Sequence, residues 1–99
     1  MDVDYADKRL RAIKTDSAAR ELRLPHDVII ACRRKLVVLE SAPDERTLRN
    51  WKSLHYEKLK GARSNERSIR VNDQWRIVFE IDTTVSPNRI LILSIEDYH

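Results

Sequence analysis

The sequence of 99 residues predicts an α+β fold, in which helices from the first half of the chain pack on one face of a small β-sheet. Apolar residues recur at helical spacing in the first half, whereas residues 66–97 alternate between apolar and polar side chains. The sequences "NDQ" and "SPN" are typical of turns and divide this second part into three strands. We expect these strands to form an antiparallel meander covered by two or three helices.

Composition indicates a single globular domain that spans residues 1–99. Apolar residues make up 41% of the chain and glycine occurs once, so the chain can bury a core. No apolar run approaches the roughly 18–20 residues that cross a membrane, and the N-terminus lacks the pattern of a secretory signal. One cysteine cannot form an internal disulfide, which fits a reducing compartment. We therefore expect a cytoplasmic protein that does not enter a membrane.

The beginning of the chain is predicted to contain a short strand and a first helix. Residues 3–6 could form the strand, and Asp7 offers an N-cap for the helix "KRLRAIKT", which places Leu10 and Ile13 on one face. The next stretch, "DSAARELRL", could continue this helix or form a loop.

A second helix is the clearest element of the first half. It opens at Pro25 and is terminated by Pro43. Its predicted core face consists of Val28, Ile29, Cys32, Leu36 and Leu39. Asp44 can cap a third, short helix that extends towards Trp51. We expect both Trp51 and Trp75 to lie in the core rather than to stack on bases.

The length of the first hairpin loop decides which side chains share a face of the sheet. A two-residue loop would place Arg76 on the same face as Ile69, whereas a three-residue loop at residues 72–74 pairs Ile69 with Ile77. Burial favours the second register, in which one face carries Ile69, Val71, Trp75, Ile77 and Phe79. Arg70 and Arg76 then become cross-strand neighbours on the face opposite the helices.

This arginine pair lies within the most basic part of the sequence. Residues 46–76 contain nine Lys or Arg against three acids, which suggests a phosphate-bearing partner, an acidic protein surface or simply a solvated face. Two like charges directly opposite on a sheet repel by roughly 0.2–1 kcal/mol unless an anion lies between them. Phosphate would fit, because the arginine fork binds it bidentately. Alternatively, both arginines extend into water or pair with Glu80 and Glu66.

The third strand, "RILILSIED", is predicted to be central because apolar residues occur on both of its faces. Strict alternation would divide its side chains between a face with Leu91, Leu93 and Ile95 and a face with Ile90, Ile92, Ser94, Glu96 and Tyr98. The terminal residues "DYH" should therefore belong to ordered structure.

The segments "EKLKG" at residues 57–61, "SIRVNDQWRIVFE" at residues 68–80 and the terminal "EDYH" resemble the HigB-type toxins of the RelE/ParE superfamily. The opening "ADKRL" and the helix "RRKLVVLESAPDE" are similar to the same family, so the resemblance covers nearly the whole chain. It implies a RelE-like fold, with two long N-terminal helices on a small, curved, mostly antiparallel sheet. It also implies a ribosome-dependent mRNA endonuclease that acts in the ribosomal A site without metal or cofactor. A helix-turn-helix antitoxin of the HigA type would hold it inactive, and operator DNA would be contacted only through that antitoxin.

The resemblance further implies the positions of an active site. Matched residue by residue, the catalytic positions are Lys60, Arg76, Asp97, Tyr98 and His99. Some members use another histidine just before the "LKG" motif. Here Glu57 or Lys58 occupies that place and His55 lies two residues earlier, so the participation of His55 stays open. The flanking phosphates or ribosomal RNA would be bound by Arg63, Arg67 and Arg70. The loop "GARSNERS" departs from many members, which carry an acidic residue after the glycine.

These residue types suit metal-free cleavage of RNA, which must move two protons and stabilise a charged phosphorus. His99 would act as general base or acid, because an imidazole titrates near neutral pH. Asp97, two residues earlier in the strand, could face the same side and either orient His99 or exchange protons with it. Tyr98 could bind the phosphate or stack on a base. Arg76 and Lys60 would stabilise the negative charge of the pentacoordinate phosphorane.

Other interpretations stay open on the sequence alone. Arg76 could form a salt bridge on the strand face with Glu80 or Glu96. A toxin of the ParE type shares the fold but poisons a topoisomerase, and a degenerate toxin would only bind its antitoxin or serve a regulatory role. Cys32 is expected to be an inert core thiol, and the scattered histidines show no metal-ligand spacing. An acidic or helical segment of an antitoxin would suit the basic surface.

Overall fold

A mixed β-sheet forms the centre of the protein in a computed structural model that describes residues 1–15 and 19–97. Its strands are β1 (Asp2–Tyr5), β2 (Glu57–Lys58), β3 (Arg67–Arg70), β4 (Trp75–Asp82) and β5 (Arg89–Asp97). Their order is β1-β5-β4-β3-β2, with β1 parallel to β5 and all other neighbours antiparallel. The α-helices with described bounds are α1 (Lys8–Arg11), α2 (His26–Ser41) and α3 (Glu45–Asn50). Short 3₁₀ turns cover Ala12–Lys14, Arg20–Leu22, Lys52–Leu54 and Gly61–Arg63.

The helices cover one face of this sheet, which confirms the predicted α+β class. Ile69, Ile77 and Phe79 are fully buried and share one core cluster with Leu36 and Leu39 of α2. Burying a side chain of this size stabilises the fold by about 1.5–3 kcal/mol relative to exposure. The predicted meander of β3, β4 and β5 is also confirmed, and β1 and β2 extend it at its two edges. Within the described ranges, no helix has the length and hydropathy needed to cross a bilayer.

The helix caps are those that the sequence predicts. The backbone N–H of Leu10 donates to Asp7 Oδ1 at 2.9 Å, and that of Thr47 donates to Asp44 Oδ1 at 3.0 Å. Each bond satisfies a donor that a helix start leaves unpaired. The five residues predicted for the core face of α2 are all buried. The first helix is shorter than predicted, because "KRLRAIKT" is α-helical only to Arg11 and continues as a 3₁₀ turn. Residues 16–18 of the ambiguous stretch lie outside the described residues.

The expectation that Trp51 lies in the core is wrong, since 44% of its surface is exposed. Helix α3 ends at Asn50, and the chain turns at Trp51 into the next 3₁₀ turn. Leu48 and Leu54, on either side of this turn, are fully buried. These leucines therefore fill the interior positions of the segment and leave the indole outside. Trp75 is half-buried and packs against the core.

The register of the hairpin between β3 and β4 agrees with the predicted three-residue loop. Ile69 pairs with Ile77, and Arg70 pairs with Arg76. Because side chains alternate along a strand, the two arginines project from the face opposite the helices. Burial of the isoleucine pair, at 0% exposure for each, is the physical reason that this register is selected.

Side-chain hydrogen bonds fix the loop of this hairpin. Asn72 Oδ1 accepts from the backbone N–H groups of Gln74 and Trp75, at 2.9 and 2.8 Å. The N–H of Val71 donates to the carbonyl of Trp75 at 2.8 Å and closes the loop. An asparagine that bonds to the backbone two and three residues ahead is typical of tight turns.

The strict alternation predicted along β5 is wrong, because the strand contains a bulge. Val78 pairs with Ser94 whereas the next residue, Phe79, pairs with Ile92. Leu93 is therefore an extra residue opposite the boundary between Val78 and Phe79. An insertion of one residue reverses the faces of everything that follows it.

This reversal changes which side chains of β5 accompany the arginines. Ile92 lies on the core face, as does Ile95, which pairs with Ile77. Glu96 pairs with Arg76 and therefore lies on the outer face. The sequence had placed Glu96 on the same face as Ile92, so the part of β5 nearest the chain end is turned over relative to the prediction.

Candidate functional site

A cleft of about 260 Å³ lies on the outer face of the sheet, beside the hairpin between β3 and β4. Its lining consists of His55, Arg70, Asn72, Asp73, Gln74 and Arg76. The cleft thus brings together Arg76 of the predicted catalytic set, Arg70 of the predicted RNA-binding set and the histidine whose participation was open. It combines two guanidinium groups, an imidazole and a loop of polar side chains, which is a suitable chemistry for a phosphate ligand.

The histidine of the cleft occupies an unusual turn. His55 follows the 3₁₀ turn Lys52–Leu54 and has left-handed backbone angles, with φ 46° and ψ 51°. Such angles are uncommon outside glycine, although histidine adopts them more readily than most residues. Leu54 is fully buried and anchors the turn in the core, while His55 is exposed. The turn therefore projects the imidazole towards the sheet, where its Nε2 lies 3.3 Å from Arg70 Nη1.

Arg76 forms the floor of the cleft, with a side chain that is only 7% exposed. Its Nε donates to Ser68 Oγ at 2.8 Å, and its Nη2 donates to Ser68 O at 3.4 Å. Nη2 also donates to the backbone carbonyl of His55. One carboxylate oxygen, Glu57 Oε2, lies 4.0 Å from Nη2. Arg76 thus joins β4, β3 and the His55 turn and places a positive charge beneath the surface.

Arg70 is held by its own hairpin. Its Nε donates to Asn72 O at 3.1 Å, and its Nη2 forms a salt bridge with Asp73. The interpretation that Arg70 extends into water or pairs with Glu66 or Glu80 is therefore not the arrangement found. Glu66 instead binds Arg63, with Oε1 at 2.9 Å from Nη2.

The end of β5 reaches the same hairpin, although from the other face. Asp97 pairs with Trp75 and so lies on the helix-covered side, opposite the face of Arg76. Its Oδ2 accepts from Gln74 Nε2 at 2.9 Å. Gln74 lines the cleft, so this bond connects the last described residue to the cleft wall. Tyr98 and His99, which follow Asp97 and are also predicted to be catalytic, lie outside the described residues.

Lys60 and Arg63 lie in the segment that connects β2 to β3. Lys60 is exposed and immediately precedes the 3₁₀ turn Gly61–Arg63. The guanidinium of Arg63 reaches β5, where Nη1 and Nη2 donate to the two carboxylate oxygens of Glu96 at 3.2 and 2.6 Å. This hydrogen bond is the main reason that the pKa of Glu96 lies below its ordinary value. The segment is therefore tied to the strand position directly opposite Arg76.

The third arginine of the predicted RNA-binding set has a different environment. Arg67 Nη1 donates to the backbone carbonyls of Ser64 and Glu66, at 3.1 and 3.3 Å.

Burial raises the pKa of the Cys32 thiol to about 12, which agrees with the expectation of an inert core thiol.

Sequence reasoning missed the loop residues that complete the cleft. Asn72 shapes the loop, Asp73 pairs with Arg70, and Gln74 holds Asp97. The signal for Gln74 was available, because a register that pairs Trp75 with Asp97 places Gln74 beside the end of β5. The sequence predicted the register between β3 and β4 but not the register between β4 and β5. Strict alternation would have given the second register wrongly, because β5 contains the bulge.

Comparison with known proteins identifies relatives of this chain. A family model described as "RelE-like toxin of type II toxin-antitoxin system HigB" matches residues 3–99. Toxin HigB-1 of Vibrio cholerae serotype O1 is 33% identical over 91 residues, which cover 92% of this chain and 95% of that protein. The range matched by the family model includes every predicted site residue.

Solved structures share the fold at low sequence identity. YafQ from Escherichia coli strain BL21(DE3) has a TM-score of 0.59 at 9% identity, covering 97% of this chain and 91% of that one. The YoeB–YefM complex from Staphylococcus aureus matches with a TM-score of 0.54 at 17% identity, covering 100% of this chain and 97% of that chain. Together with the family model and the HigB-1 relative, these likenesses show that the chain belongs to the HigB-like toxins of type II toxin–antitoxin systems, within the RelE superfamily.

Proposed function

We propose that this toxin is a ribosome-dependent endonuclease that cleaves mRNA in the ribosomal A site without a metal ion. The observation that carries the proposal is the cleft in which His55, Arg70 and Arg76 converge. Membership of the HigB-like family and the sequence "DYH" at residues 97–99, which begins at the aspartate that Gln74 holds, support it. We further propose that residues 1–99 form one toxin domain and that it acts in the cytoplasm.

The chemistry requires an attack of the ribose 2′-oxygen on the adjacent phosphorus. A base removes the 2′-hydroxyl proton, the bond from phosphorus to the 5′-oxygen breaks, and an acid returns a proton to that oxygen. The nucleophile belongs to the RNA, so the protein needs to supply proton transfer and positive charge. We assign proton transfer to His99, with Asp97 as its partner or positioning residue and Tyr98 as a contact of the phosphate or a base. Asp97 lies on the face opposite Arg76, but its bond to Gln74 holds this end of β5 at the wall of the cleft.

The positive charge would come from Arg76 and Lys60. Arg76 lies at the floor of the cleft, where limited exposure to water strengthens its interaction with an anion. Lys60 is exposed just before the turn Gly61–Arg63, and we assign its ammonium group to the same phosphate. Arg63, Arg67 and Arg70 would contact flanking phosphates or ribosomal RNA, and His55 is a second candidate for proton transfer because its ring faces the cleft.

A translation assay with purified toxin tests this function. Wild-type protein added to translating ribosomes should cut the mRNA, and mapping of the new 5′ ends should place the cuts in A-site codons. His99→Ala should abolish cleavage, and Lys60→Ala should slow it by roughly 10²–10³-fold, the usual loss for a preorganised charge. Arg34→Ala, an exposed arginine on α2, is the matched control and should cut normally. Intact mRNA with the wild-type protein would overturn the proposal, and inhibition of a topoisomerase in the same preparation would favour the ParE-like alternative.

We also propose that a HigA-like helix-turn-helix antitoxin neutralises this toxin. The solved YoeB–YefM structure from Staphylococcus aureus is a toxin–antitoxin complex with the same toxin fold. A basic cleft is complementary to an acidic segment of such a partner. Co-expression with the neighbouring open reading frame should yield a stable complex that restores growth. Growth that is unaffected by the toxin alone would instead indicate a degenerate, binding-only module.

A further inference from the structure

The hairpin that forms one wall of the cleft carries its own anion. The carboxylate of Asp73 is 96% exposed, and its Oδ1 accepts from Arg70 Nη2. The other nitrogens of this guanidinium also contact the chain, since Nε donates to Asn72 O and Nη1 lies 3.3 Å from His55 Nε2. The carboxylate of Asp73 is therefore bound to Arg70 Nη2, within the cleft that phosphate would enter.

The local structure presents this carboxylate to Arg70. Asp73 lies in the middle of the three-residue loop, three positions after Arg70. The two hydrogen bonds to Asn72 Oδ1 close the loop across Asp73, because both backbone donors, Gln74 and Trp75, follow it in the chain. Arg70 is already held by its bond to Asn72 O, so the ion pair mainly orders the side chain of Asp73, which limits the entropy cost of the contact.

An anion beside Arg70 reduces the electrostatic repulsion between the two arginines. Arg70 and Arg76 are directly opposite each other, and like charges in this arrangement repel. Asp73 neutralises Arg70, and Glu57 approaches Arg76 to 4.0 Å. The chain thus supplies from its own side chains the anions that the arginine pair requires.

We propose that Asp73 is a built-in competitor for phosphate at Arg70, which lowers the affinity of the cleft for free nucleic acid. An incoming phosphate must displace the carboxylate from Nη2, and exposure of Asp73 allows the released carboxylate to be hydrated again. The competition disfavours a strand that binds from solution. It disfavours much less a strand that other contacts already hold beside the cleft, because that strand is present at a high effective concentration.

This inference rests on the proposed function in that RNA phosphate is taken as the ligand. It adds a role for a residue outside the proposed catalytic set. In this role Asp73 makes the toxin selective for an mRNA that is presented to it, as on a ribosome, over bulk RNA.

Equilibrium binding of a short, fluorescently labelled 2′-O-methyl RNA tests the proposal, because this probe cannot be cleaved. Asp73→Asn keeps the shape of the side chain but removes its charge, and we expect it to tighten binding about two- to fivefold, the usual range for an exposed ion pair. Asp82→Asn is the matched control, since Asp82 is an exposed carboxylate at the opposite end of β4. It should change the affinity by less than Asp73→Asn does. Thermal unfolding of each variant reports whether the fold is retained.

A double-mutant cycle with Arg70→Ala identifies the site of competition. Arg70→Ala should weaken binding, and in that background Asp73→Asn should tighten it no more than Asp82→Asn does. Equal effects of the two aspartate substitutions in the wild-type background would overturn the proposal, as would full tightening by Asp73→Asn without Arg70. A toxin that leaves mRNA intact during translation but gains affinity with Asp73→Asn would refute the nuclease function alone. A toxin that cuts mRNA but shows no specific effect of Asp73→Asn would refute the competitor alone.

Discussion

Arg76 combines two physical roles that can be separated by measurement. Its guanidinium is nearly buried and donates to Ser68 and to the carbonyl of His55. It therefore stabilises the left-handed turn that presents the imidazole, in addition to any interaction with a phosphate. A loss of activity in an Arg76 variant has two possible origins, and the stability of the variant distinguishes them.

We expect Arg76→Ala to lower the free energy of unfolding by about 1–3 kcal/mol. The buried oxygens of Ser68 and the partly buried carbonyl of His55 would lose their hydrogen-bond donor. Urea denaturation followed by circular dichroism measures the change. Arg34→Ala, which removes an exposed arginine from α2, should change the stability by no more than about 0.5 kcal/mol. Equal unfolding midpoints for Arg76→Ala and wild type would show that the guanidinium does not brace the turn.

At the residue scale, the sequence predicted the face on which Arg70 and Arg76 lie, but not the burial of Arg76 or the exposure of Trp51. The cross-strand placement of Arg70 and Arg76 follows from loop length and alternation alone, and the structure agrees. Burial of Arg76 depends on Ser68 and on the His55 turn, which come from other parts of the chain. The exposure of Trp51 was missed for the same reason, since it depends on which neighbours fill the core.

At the element scale, the hairpin and β5 show where pattern reasoning works and where it stops. The register of β3 and β4 is set locally, by a three-residue loop and by burial of one apolar face. The faces of β5 depend on a bulge at Leu93, and "LILSI" contains apolar residues in both phases of the alternation. Either phase satisfies the pattern, so only the pairing with β4 determines where the bulge lies.

The segment between β2 and β3 is attached to β5 by Arg63 and Glu96. The hydrogen bonds from Arg63 hold the pKa of Glu96 below its ordinary value of 4.5. A carboxylate with a lowered pKa in the folded state stabilises the fold fully above its unfolded pKa, and this stabilisation disappears as the pH falls through the folded pKa. The attachment should therefore be present at neutral pH and absent in acid.

We expect Arg63→Gln to raise the pKa of Glu96 towards 4.5, as followed by NMR titration of the side-chain carboxyl. The difference in stability between wild type and this variant should shrink as the pH falls below that value. Arg67→Gln serves as the control, because Arg67 donates to backbone carbonyls of the same segment. It should leave the titration of Glu96 in place. An unchanged Glu96 pKa in Arg63→Gln would show that the ion pair does not form in solution.

At the scale of the whole molecule, charge changes sign along the outer face of the sheet. Following β4 from the cleft, the outward side chains are Arg76, Val78, Glu80 and Asp82. At the far end, Glu80 and Asp82 line a second cleft of about 260 Å³ together with Asp4 and Arg89. An anionic strand should therefore be drawn to the hairpin end and repelled from the other, which orients RNA before any specific contact forms.

Two charge reversals of equal size test this orientation. Arg70→Glu and Arg89→Glu each lower the formal net charge of +3 by two, and each arginine has a neighbouring aspartate, Asp73 or Asp4. We expect Arg70→Glu to weaken binding of a 2′-O-methyl RNA strongly, and to reduce the slope of log affinity against log salt concentration by about 0.7 for one lost phosphate contact. Arg89→Glu should weaken binding less and keep the slope, because it alters only the distant field. Fluorescence anisotropy at a series of salt concentrations measures both quantities. Equal losses of affinity and slope in the two variants would mean that net charge, and not the cleft, attracts the RNA.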